Sequence, residues 1–379
     1  MGLYYQHLNA QTPQRPSPVP VPRPPSTVNR QPSQRLFFCY FCLIRGSKTR
    51  YVLSIFRTNQ VFVSFLLLFY GALLFSGVLV FPSTAEAGPQ GFLQHWVNAW
   101  LPNTPLVLFI AIVVLLFLQA FMLNLMEYNY RLDRELHMFP GVFFMLFSAM
   151  VPGQDALLPV FLANIFLFLA IYEVMGTFKQ NQAAGSLFNA GLFLGVACLF
   201  YPSYAVFLIA LFSGLNILRG FQFRERIMVF AGVLVAYYLT GTTAFLTGHW
   251  TLFTELQGLH AYGFLDLQSG TSIPYSLLPW AVFLIILIFQ HPQFMQKRVI
   301  QTQKRITIWY WVMLMSVATL LIQKHLAIWH VHVLALPVSY LTSMLVSRMR
   351  PNWAELLHIL LLFAAMYVQF EPWIFKNFF

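Results

Sequence analysis

Residues 105–126, PLVLFIAIVVLLFLQAFMLNLM, run from Pro105 to Met126 without a single charge, and they decide what kind of molecule this is. A helix needs about 20 mainly apolar residues to cross the hydrocarbon core of a bilayer. This stretch supplies that length, with Gln119 and Asn124 as its only amide side chains. The rest of the chain repeats the pattern. Of 379 residues, 59% are hydrophobic and 9% are charged, against about 25% charged in an average soluble domain. So few charges cannot keep a chain of this size in water, and the 40 phenylalanines suit lipid better than solvent. The composition excludes a soluble enzyme, a disordered scaffold and a nucleic-acid binder.

Working outward, apolar runs bounded by polar or turn residues fall at about 61–81, 105–126, 139–151, 156–175, 187–201, 203–218, 227–247, 276–290, 307–323, 326–346 and 355–374. The pair 187–201 and 203–218 is divided by Pro202. Read as one helix it would overshoot any bilayer, so two helices meeting at a tight Tyr201-Pro202-Ser203 turn are expected. The charges then test the count. With the N-terminus inside, 20 of the 22 Lys and Arg residues fall in inside segments, leaving Lys324 and Lys376 outside. Inside loops carry the excess of basic residues. The expectation is therefore an all-α, polytopic bundle of about eleven transmembrane helices, N-in and C-out, in a bacterial inner membrane. This distribution also accounts for the net charge of +11.

Residues 1–35 are Pro-rich and basic, with no core-forming period, and read as a disordered cytoplasmic tail. Residues 36–60, which include LFFCYFCLI and TRYVLSIFR, are too short in their apolar parts to span and read as an interfacial segment. The transmembrane domain is expected over 61–379. Three cysteines, Cys39, Cys42 and Cys198, cannot build a disulfide framework. The lone Cys39-x-x-Cys42 pair lacks the further Cys or His that zinc requires. Ala85-Glu86-Ala87 resembles a cleavage site, but the preceding apolar run is longer than a signal-peptide core.

Two loops on the expected outer side carry amphipathic patterns. In GFLQHWVNAWL, Phe92, Trp96 and Trp100 recur at i, i+4 and i+8; beyond His249, Trp250, Phe253, Leu256 and Leu259 recur every third residue. Both read as helices lying on the membrane surface, either as an aromatic belt or as the rim of a lipid-facing site. The acidic residues on this side are Glu86, Asp155, Glu255, Asp266 and Glu371, and any of them could act as a general base. Glu86 and Asp155 stand out as catalytic candidates because each lies within a few residues of a helix end. His330 and His332 lie inside a span, where an ionisable side chain is a functional-site hypothesis, although hydrogen bonding across helices explains a neutral His equally well. Around Arg131, the i, i+4 spacing of Glu127, Arg131 and Glu135 reads as a self-satisfied helical turn. No D-x-D, H-E-x-x-H, G-x-S-x-G or P-loop motif occurs, so no cofactor and no metal is expected.

Two stretches, ELHMFPGVFFMLF (135–147) and NAGLFLGVACLFYPSYAVFLIALFSGLNILRGFQFRER (189–226), resemble a family of uncharacterised polytopic inner-membrane proteins of Bacteroidota. The likeness covers roughly 50–375 and implies an envelope setting without an activity. The A-G-L-x-L-G-x-A-x-L run, the short Pro turn, the second apolar run and the basic end also resemble the core hairpin of GT-C type, lipid-dependent glycosyltransferases. That resemblance implies a polyprenyl-phosphate-linked sugar donor taken from the outer face. By position in the first outside loop, Glu86 would be the base. His95 or His332 would lie near the phosphate, with His330 and Tyr201 as further candidates for binding the lipid substrate. The Lys that often precedes the hairpin Pro in that family is replaced here by Phe200-Tyr201. Three functions follow as expectations: a GT-C-like protein of cell-envelope biogenesis, a transporter or flippase, or a non-catalytic membrane subunit. Membrane lipids are the expected partners in every case, with further membrane-complex partners in the third.

Overall fold

Hydrophobicity that runs all the way round a helix predicts a helix buried on every side, and FPGVFFMLFSA at Phe139–Ala149 is the extreme case. The computed structural model describes residues 52–57, 61–80, 91–101, 104–133, 135–151, 159–258, 278–322 and 328–378. Within them all eleven residues of Phe139–Ala149 are buried. At about 1.5 Å per residue this helix reaches only about 16 Å, too short to cross a bilayer by itself. It serves as a central peg.

In chain order the helices are α1 (Val52–Ile55), α2 (Val61–Leu74), α3 (Gly77–Val80), α4 (Phe92–Trp100), α5 (Pro105–Tyr130), α6 (Phe139–Ala149), α7 (Pro159–Gly176) and α8 (Ala184–Phe200). A 3₁₀ turn, Pro202–Val206, leads into α9 (Phe207–Leu218), α10 (Phe223–Leu246), α11 (Trp250–Gln257), α12 (Leu278–Met295) and α13 (Ile300–Leu321). A second 3₁₀ segment, Ile328–Leu334, runs into α14 (Ala335–Val346), and α15 (Pro351–Phe378) follows. The described residues contain no strand. Among the described residues, six helical segments are long and apolar enough to cross a membrane: Pro105–Tyr130, Pro159–Gly176, Phe223–Leu246, Leu278–Met295, Trp329–Val346 and Pro351–Phe370. Among the described residues the protein is all-helical, and its long apolar helices make it a polytopic membrane protein.

The second buried element is α14, in which every residue except Leu345 is buried. It packs on α6, and α5, α12 and α15 surround the pair. A second group joins α7, α8 and α10. Here the backbones touch: a Cβ on Gly191 would lie 1.9 Å from the Val229 carbonyl oxygen, and one on Gly232 would lie 2.2 Å from that of Phe188. Only glycine allows α8 and α10 to approach this closely, the usual device where helices associate by packing within lipid. The run 61–81 departs from a single helix, because after Leu74 the chain turns at Phe75-Ser76. Ser76 Oγ bonds back to the Leu73 carbonyl at 2.8 Å, and this competes with continuation of the helix.

Candidate functional site

The turn between α8 and α9 builds a polar cluster in the buried interior. Tyr201 precedes a proline and is extended (φ −145°, ψ 100°), as the proline ring requires. Pro202 then opens the 3₁₀ turn, which swings Tyr201 and Tyr204 inward, edge to face, with ring centres 5.4 Å apart. Both are fully buried. The 3₁₀ segment Ile328–Leu334 faces them. Tyr201 hydrogen-bonds through its hydroxyl to His330 Nδ1, and the two rings stack. Tyr204 donates to Asn164 Oδ1 at 2.5 Å, and Asn164 Nδ2 in turn donates to His332 Nδ1 at 3.3 Å. The edges of Phe144 and Phe161 enclose the His332 ring. With Nδ1 accepting, the proton of His332 sits on Nε2, which has no partner among the described residues.

An α-helical register separates His330 from the face shared by His325, Trp329 and His332. In the structure both histidines are wholly buried, because every residue from Trp329 to Met344 is buried and the segment has no outward face here. Each side chain bonds across to another element, as the neutral-His reading of the sequence expects.

Two surface helices cover the same end of the bundle. Gly91 donates to the Phe200 carbonyl at 2.9 Å and so seats the start of α4 on the hairpin tip. From α11, Gln257 donates to the Leu199 carbonyl at 3.0 Å. The helices also touch one another through Phe92 on Phe253 and Trp96 on His249. The aromatic stripe therefore divides: Phe92 is buried under α11, while Trp100 is 84% exposed. A groove of about 320 Å³ opens between α4 and α10, lined by Phe92, Leu93, Trp96, Leu239, Thr240, Thr243, Ala244 and Thr247. The hydroxyls of Thr240, Thr243 and Thr247 bond to carbonyls of their own helix, so the lining is apolar despite three threonines. His95 lies on the exposed side of α4, beside Trp96, and is not drawn into the tyrosine–histidine cluster. Glu86 and Asp155 lie outside the described residues, as do His260, Asp266, Cys39 and Cys42.

At the opposite end the sequence reading of the Arg131 turn needs correction. Helix α5 ends at Tyr130, and Arg131 takes the left-handed conformation (φ 45°). Glu127 does not pair with Arg131 but is buried, accepting the Asp133 N–H at 2.6 Å and the Tyr340 hydroxyl. Asp133 binds Arg298 at 2.5 Å, His137 Nε2 at 3.1 Å and the Ser347 hydroxyl. Burial by itself pushes the Asp133 carboxyl up, but the bonds from His137, Ser347 and Arg298 prevail and hold it well below the usual carboxylate range. The i, i+4 spacing gave no hint of this, because the helix stops before the pair can form. The described basic residues collect here too: Arg298 also caps the Leu132 carbonyl, Arg305 lies over Tyr130, and Arg219 holds the Thr177 and Gln180 carbonyls and Glu225. Arg219 and Arg226, in the basic hairpin end, are thus engaged within the protein.

Residues 94–374 match the model of a Family of unknown function (DUF6427). The chain belongs to this family. The matched region holds His95, Asp155, Tyr201, His330 and His332, whereas Glu86 precedes it. No curated protein matches the sequence. Among solved structures, the chain is similar to the crystal structure of ArnT from Cupriavidus metallidurans bound to undecaprenyl phosphate, at 13% identity and a TM-score of 0.49. The alignment covers 79% of this chain and 62% of that one, so this DUF6427 member spans less than two thirds of the length of the ArnT chain.

Proposed function

We propose that this protein engages a lipid-linked substrate, of the polyprenyl-phosphate type, at the end of the bundle that carries α4 and α11, and serves cell-envelope biogenesis on a GT-C-like scaffold. The excess of basic residues toward the other end supports reading this end as the outer face of an inner membrane. The observation that carries the reading is the apolar groove beside the hairpin tip. It is continuous with the lipid-facing side of α10, where Leu239, Phe245 and Leu246 are exposed. A long isoprenoid or acyl chain can enter it sideways from the bilayer. The polar head of such a lipid would then lie at the surface, near α4 and His95. The buried cluster of Tyr201, His330 and His332 beneath the hairpin would serve the site by holding the tip in place.

If the protein transfers a sugar, Glu86 is the proposed base and Asp155 the second carboxylate candidate. A base is needed only in the transition state, so Glu86→Gln should leave expression unchanged and lower activity by about 10²–10⁴-fold. Complementation of a deletion strain reads this out, with Glu255→Gln as the control from α11. Failure of Glu86→Gln alone supports transfer chemistry. Equal complementation by both variants removes Glu86 as the base and leaves a binding or transport role. Transport is the second reading, favoured by one feature: α14 is buried along its length, with the histidine pair at one end and the Asp133 cluster at the other.

A further inference from the structure

The positive charge at the end opposite the groove is of two kinds. Arginines there are used by the fold. Arg219 holds the Thr177 and Gln180 carbonyls and pairs with Glu225. Arg305 donates to the Met175 carbonyl at 3.3 Å, and Arg298 binds Asp133. Arg219 and Arg305 thus serve the carbonyls at and beyond the end of α7, where a cation is favoured.

Lys179, in the α7–α8 link, and Lys304, in the second turn of α13, do none of this. Both ammonium groups lie against one ring, that of Phe178, with Nζ of Lys179 at 5.7 Å and Nζ of Lys304 at 5.5 Å from its centre. A single ring therefore gathers two cations from different elements. It attracts them but cannot neutralise them. No carboxylate does so either: among the described residues every ion pair belongs to Asp133 or joins Arg219 to Glu225. Glu173, the one carboxylate of α7, pairs with neither lysine. Two like charges held together without a counter-charge call for an anion.

The surroundings say which kind. Lys179 is exposed, and Phe178 and Lys304 are half-buried. One helical turn before Lys304 on the same helix, Ile300 is exposed, as is Val299 beside it. In the α9–α10 link, from which Arg219 reaches across to Thr177, Phe221 is exposed too. A small soluble anion would leave these apolar side chains in water, whereas a lipid brings a phosphate to the lysines and acyl chains to their neighbours.

We propose that Phe178, Lys179 and Lys304 form a headgroup site for an anionic phospholipid in the leaflet at this end, separate from whatever lipid the groove takes. The lysines meet the phosphate as point charges on flexible stems, and the ring keeps both on one edge of the protein. A bound headgroup joins the α7–α8 link to α13. A zwitterionic lipid carries the same phosphate with its charge already cancelled, so the site selects by net charge.

The test exchanges the purified full-length protein into mixed micelles with equal parts of phosphatidylglycerol and phosphatidylcholine, then repurifies it and measures the retained lipid by mass spectrometry. Wild type should retain phosphatidylglycerol in excess. A lysine at an anionic lipid surface is worth about a fivefold preference, so Lys179→Gln combined with Lys304→Gln should lose most of that excess. Arg224→Gln combined with Lys297→Gln removes the same charge from exposed positions at this end that are not held at the Phe178 ring, and should keep it. If the first double variant is not recovered folded, Lys179→Gln alone, at an exposed position, should lower the excess about fivefold. Inorganic phosphate should not displace the lipid. No excess in wild type, or an unchanged excess in the lysine variants, overturns the proposal. So does an equal loss in the control, which would mark general surface charge, or displacement by inorganic phosphate, which would mark a soluble-anion site.

Discussion

Asp133 shows how one side chain can hold an end of a membrane bundle together. Its carboxylate joins the turn after α5 to Arg298 and to Ser347 of α14. Breaking a buried pair by removing one partner typically costs about 3–5 kcal/mol. Asp133→Asn should therefore lower stability by that order, measured as the midpoint of thermal unfolding in detergent. The pH dependence has a definite sign. A carboxyl depressed in the folded state contributes stability that is present above its unfolded value, near 3.9, and lost as pH falls toward the folded one. Wild type should lose stability as pH drops below about 4, whereas Asp133→Asn should be flatter across that window. At this scale the sequence was partly legible. Tyr201, His330 and His332 could be picked out because a polar ring inside an apolar run is costly unless bonded. Asn164 and Tyr204, their partners, carry the same signal. Glu127 was misread, because a spacing rule presumes that the helix continues.

Elements were legible wherever local sequence determines them. Pro202 forbids a continuous helix, and the hairpin forms where the proline stands. The run FPGVFFMLFSA has no polar face, and it is buried all round. What local pattern could not reveal is pairing, since the glycines of α8 and α10 acquire meaning only once the helices face each other. Gly191→Leu should force the two apart, because even a Cβ would lie 1.9 Å from the Val229 carbonyl oxygen. Over-packing of this kind typically costs about 1–3 kcal/mol or more, and it should appear as a lower yield of folded protein. Gly185→Leu, at an open position of the same helix, should be tolerated. The 3₁₀ geometry of Ile328–Leu334 was likewise hidden, since an apolar run reads as α-helix by default, and both histidines are buried because the chain is enclosed on every side from Trp329 to Met344.

For the whole molecule, membrane character follows from composition, and the proposed sidedness rests on charge. The described basic residues at the α5–α6 turn, the α7–α8 and α12–α13 links and the end of α14 share one end of the bundle through their contacts. Reporter fusions should accordingly read inside after Arg226 and Arg305 and outside after Trp100 and His260. An inside signal at His260 contradicts the proposed topology. The proposed function was less legible than the fold because it rests on a groove between α4 and α10, two elements that no sequence pattern connects.

Lipid engagement at that groove is the central claim, and mass spectrometry of the lipids that co-purify with the protein tests it most directly. Wild type should retain a polyprenyl-phosphate-type lipid above its level in the membrane extract. Thr243→Trp, which places an indole in the groove from an exposed position, should lose that lipid while remaining folded. A wild-type protein that carries only bulk phospholipid, or a Thr243→Trp variant that retains the same enriched lipid, would contradict the account.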